Sequence, residues 1–152
     1  MIEIVKAKSS HIPHIAVNMR EADKAEVWAS HKHSTAEALT ASFAASTVAF
    51  TGLVDGVPAA MWGVGGTGSF LQLIGSPWLL GTPDAVKNAR FFLKVNRLHI
   101  QYFQQLYPRL QNYVHMGNTT SIKWLKWCGF TVEKEPVEFG ALNEKFYFFH
   151  KG

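Results

Sequence analysis

The chain has 152 residues, of which 47% are hydrophobic, 17% are charged and one is cysteine. That length suits one domain burying roughly 70% of the surface its unfolded chain exposes, and the composition excludes a disordered chain and a coiled coil. The lone Cys128 excludes an internal disulfide framework and a thiolate zinc site, which points to a reducing compartment.

The formal charge of +4 is unevenly spread. Residues 85–132 hold seven basic side chains (Lys87, Arg90, Lys94, Arg97, Arg109, Lys123, Lys126) and no acid, whereas residues 1–84 carry a net −2. A basic middle segment attracts phosphate, or is simply a solvated positive face. Residues 38–54 and 56–83 carry no charge, but Gly, Ser and Thr break them into strand-sized pieces. A bilayer span needs about 20 mostly apolar residues, so no membrane insertion is expected. The start MIEIVKAK reads as a strand and not as a secretion signal.

In chain order, residues 2–6 alternate as a strand, and Ser9-Ser10 opens a short helix to about residue 18. Helices follow over 20–30 and 35–45. Strands over 47–54 and 57–65 flank Asp55-Gly56, a hairpin signal because a type I′ turn needs positive φ at both central residues. Residues 65–68 read as a loop; 70–74 and 77–81 are apolar pieces separated by Gly75-Ser76-Pro77. The longest helix is expected over 86–107, with Phe91, Val95, Leu98 and Tyr102, joined by Phe92, Phe103 and Leu106, as its apolar side. Lys87, Arg90, Lys94 and Arg97 form a cationic stripe opposite. A strand over 112–115, a helix over 119–128 stopped by Gly129, and antiparallel strands over 130–137 and 145–150 complete the chain. This predicts one α/β (α+β) domain over residues 1–152, its central sheet mixed and mostly antiparallel, with helices on both faces. The 86–107 and 119–128 helices are expected on opposite faces.

The order of elements, and the block Asn118-Thr-Thr-Ser-Ile-Lys-Trp-Leu-Lys-Trp-Cys-Gly-Phe130, resemble the GCN5-related N-acetyltransferase (GNAT) superfamily. Met19-Arg-Glu-Ala-Asp-Lys-Ala-Glu26, Pro77-Trp-Leu-Leu-Gly-Thr82, Phe91-Phe-Leu-Lys-Val-Asn-Arg97 and Tyr107-Pro-Arg-Leu-Gln-Asn-Tyr113 look like acetyltransferase-like proteins of tailed phages, including the internal virion protein A type. The resemblance implies acetyl-CoA as cofactor and an amine acceptor. The alternative it carries is a non-catalytic role among phage structural proteins, inside the host cytoplasm or the virion, and it leaves a homo-oligomer open. No specific nucleic-acid module accompanies the basic stripe.

In that superfamily two neighbouring strands part, and pantetheine pairs with exposed backbone. The pyrophosphate sits at the start of the long helix, where N–H groups and the dipole favour an anion. Carried over, this implies cofactor contacts from Leu79, Leu80, Gly81, Thr82, Lys87, Asn88, Arg90, Asn118 and Ser121. The superfamily's glycine signature is absent after Gly81. Two readings of 82–88 stay open: Thr82 caps a helix with Pro83 first, so that Asp84 opposes phosphate, or the helix begins near Asn88 and the loop is free. Lys94 and Arg97 are expected to lie about 10 Å and 15 Å beyond Lys87, out of reach of the phosphates. The tyrosine that often protonates the leaving thiolate is replaced by Leu125. Candidate catalytic groups are Asp23 and Glu26 in the early helical region and His115 at the end of the second parted strand; as bland alternatives the carboxylates pair on a solvated helix and the histidine ends a strand. His31-x-His33 reads as a loop pair, and no metal is expected.

Overall fold

The computed structural model describes residues 1–68 and 73–152. Its strands are β1 (Ile2–Lys6), β2 (Val48–Val54), β3 (Val57–Gly66), β4 (Ile74–Gly81), β5 (Arg109–His115), β6 (Thr131–Val132), β7 (Val137–Phe139) and β8 (Glu144–Lys151). Its helices are α1 (Ile12–Val17), α2 (Glu21–His31), α3 (Thr35–Ala45), α4 (Pro83–Lys87), α5 (Ala89–Leu106) and α6 (Thr119–Trp127), with a 3-10 turn over Ser9–His11. The strands form one sheet in the order β1-β2-β3-β4-β5-β8-β6, with β7 also on β8. Every pairing is antiparallel except β4 with β5. It is a single-domain α+β fold with a mixed, mostly antiparallel sheet.

Local sequence signals set several elements. Asp55 and Gly56 take φ of 50° and 81°, as the type I′ turn requires. Ser34 and Glu37 form a reciprocal capping box at the start of α3. Gly129, at φ 95°, ends α6.

Other expectations are corrected. The Gly75-Ser76-Pro77 run does not break a strand: β4 passes straight through it, with Gly75 giving room for the Tyr107 ring, whose nearest carbons would lie 2.8 Å from an added Cβ. The expected 65–68 loop starts two residues later, since β3 runs to Gly66. The expected 130–137 strand is two segments: the Glu133 N–H still donates to the Phe148 carbonyl of β8 at 2.9 Å, and residues 134–136 then leave the ladder before β7. Most of the apolar piece at 70–74 lies outside the described residues.

The largest correction concerns α5. Its buried side is Phe92, Asn96, Ile100 and Phe103, while Phe91, Leu98 and Tyr102 of the expected apolar side are exposed. Nor do the two late helices sit on opposite faces. Phe92, Ile100 and Phe103 of α5 share one core with Ile122, Trp124 and Leu125 of α6, and Arg97 lies 4.9 Å over the Trp127 ring. Met61 and Leu80 face a second core on the other side, built from Ile12, Ile15, Met19, Val27 and Leu39 of the early helices and their linkers. Alternation along the strands divides the sheet's side chains between the two cores.

Candidate active site

β4 and β5 pair only at Ile74↔Arg109 and Gly75↔Leu110, and then part. Pro77 follows at once and has no N–H to offer a ladder. Asn112 on β5 bridges the opening by donating Nδ2 to the Pro77 carbonyl at 2.9 Å. At the far end the gap is held by α2: Asp23 Oδ2 accepts the Gly81 N–H at 3.0 Å, and the Arg20 N–H donates to the Gly81 carbonyl at 2.9 Å. Backbone groups of a strand alternate sides. Since Gly75, Pro77 and Gly81 turn theirs toward β5, Leu79 does too, and its N–H and C=O point into the gap.

A cavity of about 520 Å³ passes through this opening. On one side of the sheet its wall includes Glu26, Ser30 and His31 of α2, His33, and Ala38 and Ser42 of α3. On the other it includes Trp62, Asn96, Ile100, Phe103, Leu125 and Cys128. Trp78 is fixed in the wall by its indole N–H, which donates to Ser46 Oγ at 2.7 Å. The turn after β7 closes the α2 side: Ala141 N–H donates to the Ser30 carbonyl at 2.8 Å, and Tyr113 stacks on Phe139 at 4.0 Å.

Two carboxylates one helical turn apart meet at the end of the gap. Asp23 is wholly buried and accepts from Arg20 at 3.1 Å, from Gly81 N–H at 3.0 Å and from Asn118 Nδ2 at 3.0 Å. Glu26 Oε1 accepts the backbone N–H of His115 at 2.8 Å and Asn118 Nδ2 at 3.4 Å. Burial, and then the charge of Asp23, push the Glu26 carboxyl from 4.5 up to about 7, against the two hydrogen bonds and Arg20. Burial also raises Asp23, opposed by Arg20 and its three hydrogen bonds. Glu26 lines the cavity; Asp23 does not. A half-ionised carboxyl facing a cleft can take a proton near neutral pH.

The nine residues expected at the cofactor divide into three groups. Leu79, Leu80 and Ser121 line the cavity. Gly81, Thr82 and Asn118 are spent on the walls: Thr82 Oγ1 donates to the Ala59 carbonyl at 2.9 Å, and Asn118 Oδ1 accepts from Arg20 at 3.3 Å and from the Ser121 N–H at 3.4 Å. Lys87, Asn88 and Arg90 lie outside, in a shallow depression shared with Phe91 and Lys94. Lys94 thus groups with Lys87 and Arg90, against expectation, and Arg97 does not. The His115 ring faces away from the cleft; its Nε2 is 2.8 Å from Glu144 and its Nδ1 accepts the Gly117 N–H at 3.2 Å. His115 serves the site through its backbone.

Neither reading of residues 82–88 holds alone. Thr82 precedes α4, with Pro83 first and Asp84 in its first turn, yet the long helix starts anew at Ala89. Thr-Pro-Asp is a strong helix start, and Asn88 ends the turn by donating Nδ2 to the Asp84 carbonyl at 2.9 Å. Sequence reading missed Asn96, although an Asn at the i, i+4 spacing between Phe92 and Ile100 was a usable signal. It read His31-x-His33 as a loop pair, whereas His31 ends α2 and the two rings, stacked at 5.3 Å, line the cavity.

No family model and no curated protein sequence matches this chain. Solved structures do match its fold. An N-acetyltransferase from Staphylococcus aureus superposes with a TM-score of 0.73 at 14% identity, covering 99% of this chain and 98% of the other. A GNAT-family acetyltransferase from Streptococcus pneumoniae gives 0.66 at 13%, covering 99% and 98%. The spermidine N-acetyltransferase of Vibrio cholerae, solved with CoA and spermine, gives 0.70 at 11%, covering 99% and 94%. These likenesses establish the GNAT fold.

Proposed function

We propose that residues 1–152 form an acetyl-CoA-dependent N-acyltransferase. The observation that carries this reading is the parted strand pair: Leu79 turns unpaired backbone groups into a cavity that reaches, through the sheet, the carboxyl of Glu26. The fold neighbour solved with CoA and spermine supports the same ligand classes.

The residues present fit such a cofactor. Leu79 N–H and C=O match the amide groups of a pantetheine arm, and Leu80 and Ser121 flank it. Lys87, Arg90 and Lys94 attract phosphate, Asn88 adds an amide, and the exposed Phe91 ring offers a face to adenine. Gly81, Thr82 and Asn118 hold the walls apart. When bound, acetyl-CoA supplies an activated thioester.

The amine then enters from the α2–α3 side. Glu26 accepts its proton at Oε as the N–C bond forms and the C–S bond breaks. Holding the two reactants together can contribute about 7–11 kcal/mol. Leu125 has no proton to give the departing sulfur. Asp23 and Asn118 position Glu26 and do not touch substrate.

Calorimetry with acetyl-CoA, desulfo-CoA and ATP tests the reading. Both CoA ligands should bind at micromolar levels, with ATP much weaker, and a hundredfold excess over Kd should stabilise the fold by about 2.7 kcal/mol. Equal binding of ATP, or none of any ligand, overturns it. A second reading is favoured by Leu125 at the usual acid position and by the likeness of residues 19–26, 77–82, 91–97 and 107–113 to tailed-phage proteins. It is a GNAT-fold phage virion or assembly protein that works by docking other phage structural proteins. That reading stands if CoA ligands fail to bind.

A further inference from the structure

Asn96 lies on the buried face of α5 at 7% exposure, and its Oδ1 is the one buried side-chain polar atom without a hydrogen-bond partner among the described residues. Buried polar groups are almost always paired, because an unpaired acceptor has given up water and gained nothing. Asn96 lines the cavity in an apolar neighbourhood that includes Trp62, Ile100, Phe103 and Leu125. The indole N–H of Trp62 is spent on His99 Nδ1 at 2.8 Å. The donor that Oδ1 lacks therefore has to arrive in the cavity.

We infer that Asn96 Oδ1 accepts an N–H from the bound ligand, and that the group it takes is a secondary amide on a flexible chain, as in a pantetheine arm. This rests on the acyltransferase reading above. The pairing is neutral and moves no proton. Leu79 from the sheet and Asn96 from α5 line the same cavity, so an arm with two amides can engage both. A carboxylate would be repelled by the Asn oxygen, and an alkyl chain would leave it unpaired.

Asn96→Leu keeps the side chain's size and removes the acceptor. Its affinity for acetyl-CoA should fall about three- to tenfold, the value of one neutral hydrogen bond. Affinity for adenosine 3′,5′-bisphosphate, which shares the nucleotide end and lacks the arm, should not change. The melting temperature without ligand should hold or rise, because an unpaired acceptor is gone. The unaltered protein gives a second measure: acetyl-CoA analogues with either pantetheine amide N–H replaced by an ester oxygen. One analogue should bind it about three- to tenfold more weakly, with no further loss in Asn96→Leu. If Asn96→Leu binds acetyl-CoA as tightly as the unaltered protein does, Oδ1 is served by water alone and the inference fails while the acyltransferase reading survives. If acetyl-CoA does not bind the unaltered protein, both fall.

Discussion

Glu26 Oε1 accepts the backbone N–H of His115 at 2.8 Å, tying α2 to the end of β5 across 89 residues of sequence. This bond holds the carboxyl at the mouth of the parted strands. It recruits His115 by its main chain, leaving the imidazole to pair with Glu144.

Glu26→Gln keeps an oxygen to accept that N–H and removes the proton acceptor. In acyltransferase assays kcat/KM of the unaltered protein should rise with pH to a plateau above about 7, and the variant should be slower and nearly flat. Stability changes the other way. The folded carboxyl titrates near 7 and the unfolded one near 4.5, so the native state holds a proton that the unfolded chain releases between them. Its contribution is fully present below pH 4.5 and is lost as pH rises through 7. Denaturant titrations should find Glu26→Gln more stable than the parent at pH 8, by at most about 3 kcal/mol, and equal to it at pH 4. A difference between parent and variant that stays constant from pH 4 to pH 8 would exclude the raised pKa.

His115→Ala should keep activity within about threefold, because the backbone N–H remains. Asp23→Ala should be far more damaging. It strips the partner from Arg20, whose side chain is 13% exposed, and frees the Gly81 N–H. Urea unfolding should show a loss of about 3–5 kcal/mol, the usual cost of breaking a buried ion pair. The reverse ranking would mean that the imidazole works in the cleft.

The cationic stripe should divide between Lys94 and Arg97. Lys87→Ala, Arg90→Ala and Lys94→Ala alter the depression that also holds Asn88 and Phe91, whereas Arg97 covers Trp127. Each of the first three should weaken acetyl-CoA binding, by up to about 1.5–3 kcal/mol where a charged hydrogen bond is lost. Arg97→Ala should do little to affinity. Equal small losses at all four positions, vanishing in high salt, would report general charge and not a seat for phosphate.

Leu125→Tyr tests the missing acid. Leu125 is half-buried in the cavity wall, so a phenol there is placed to protonate the departing sulfur. Turnover should rise about tenfold or more with acetyl-CoA affinity little changed. No gain, measured with acetyl-CoA saturating, would mean that this proton transfer does not limit the rate.

The sequence alone determined what neighbouring residues decide together. Asp55-Gly56 dictated its turn through backbone sterics, Ser34 and Glu37 capped α3 with their own side chains, and Gly129 stopped α6. The order of elements followed from hydrophobic periodicity, and the GNAT-like fold was implied by the resemblance of that order and of residues 118–130. Asp23 and Glu26 could be picked out because the resemblance puts the acceptor wall in the early helical region.

Only the tertiary structure decided how these pieces act on one another. Periodicity shows that α5 is amphipathic, but burial against β3 and α6 chose Phe92, Asn96, Ile100 and Phe103 over Phe91, Leu98 and Tyr102. It also put α5 and α6 on one face. Asp23 and Glu26 gained different roles because Gly81, His115 and Asn118 reach them from distant parts of the chain. A carboxyl's proton affinity depends on desolvation and on charges within a few ångströms, and folding alone brings those together.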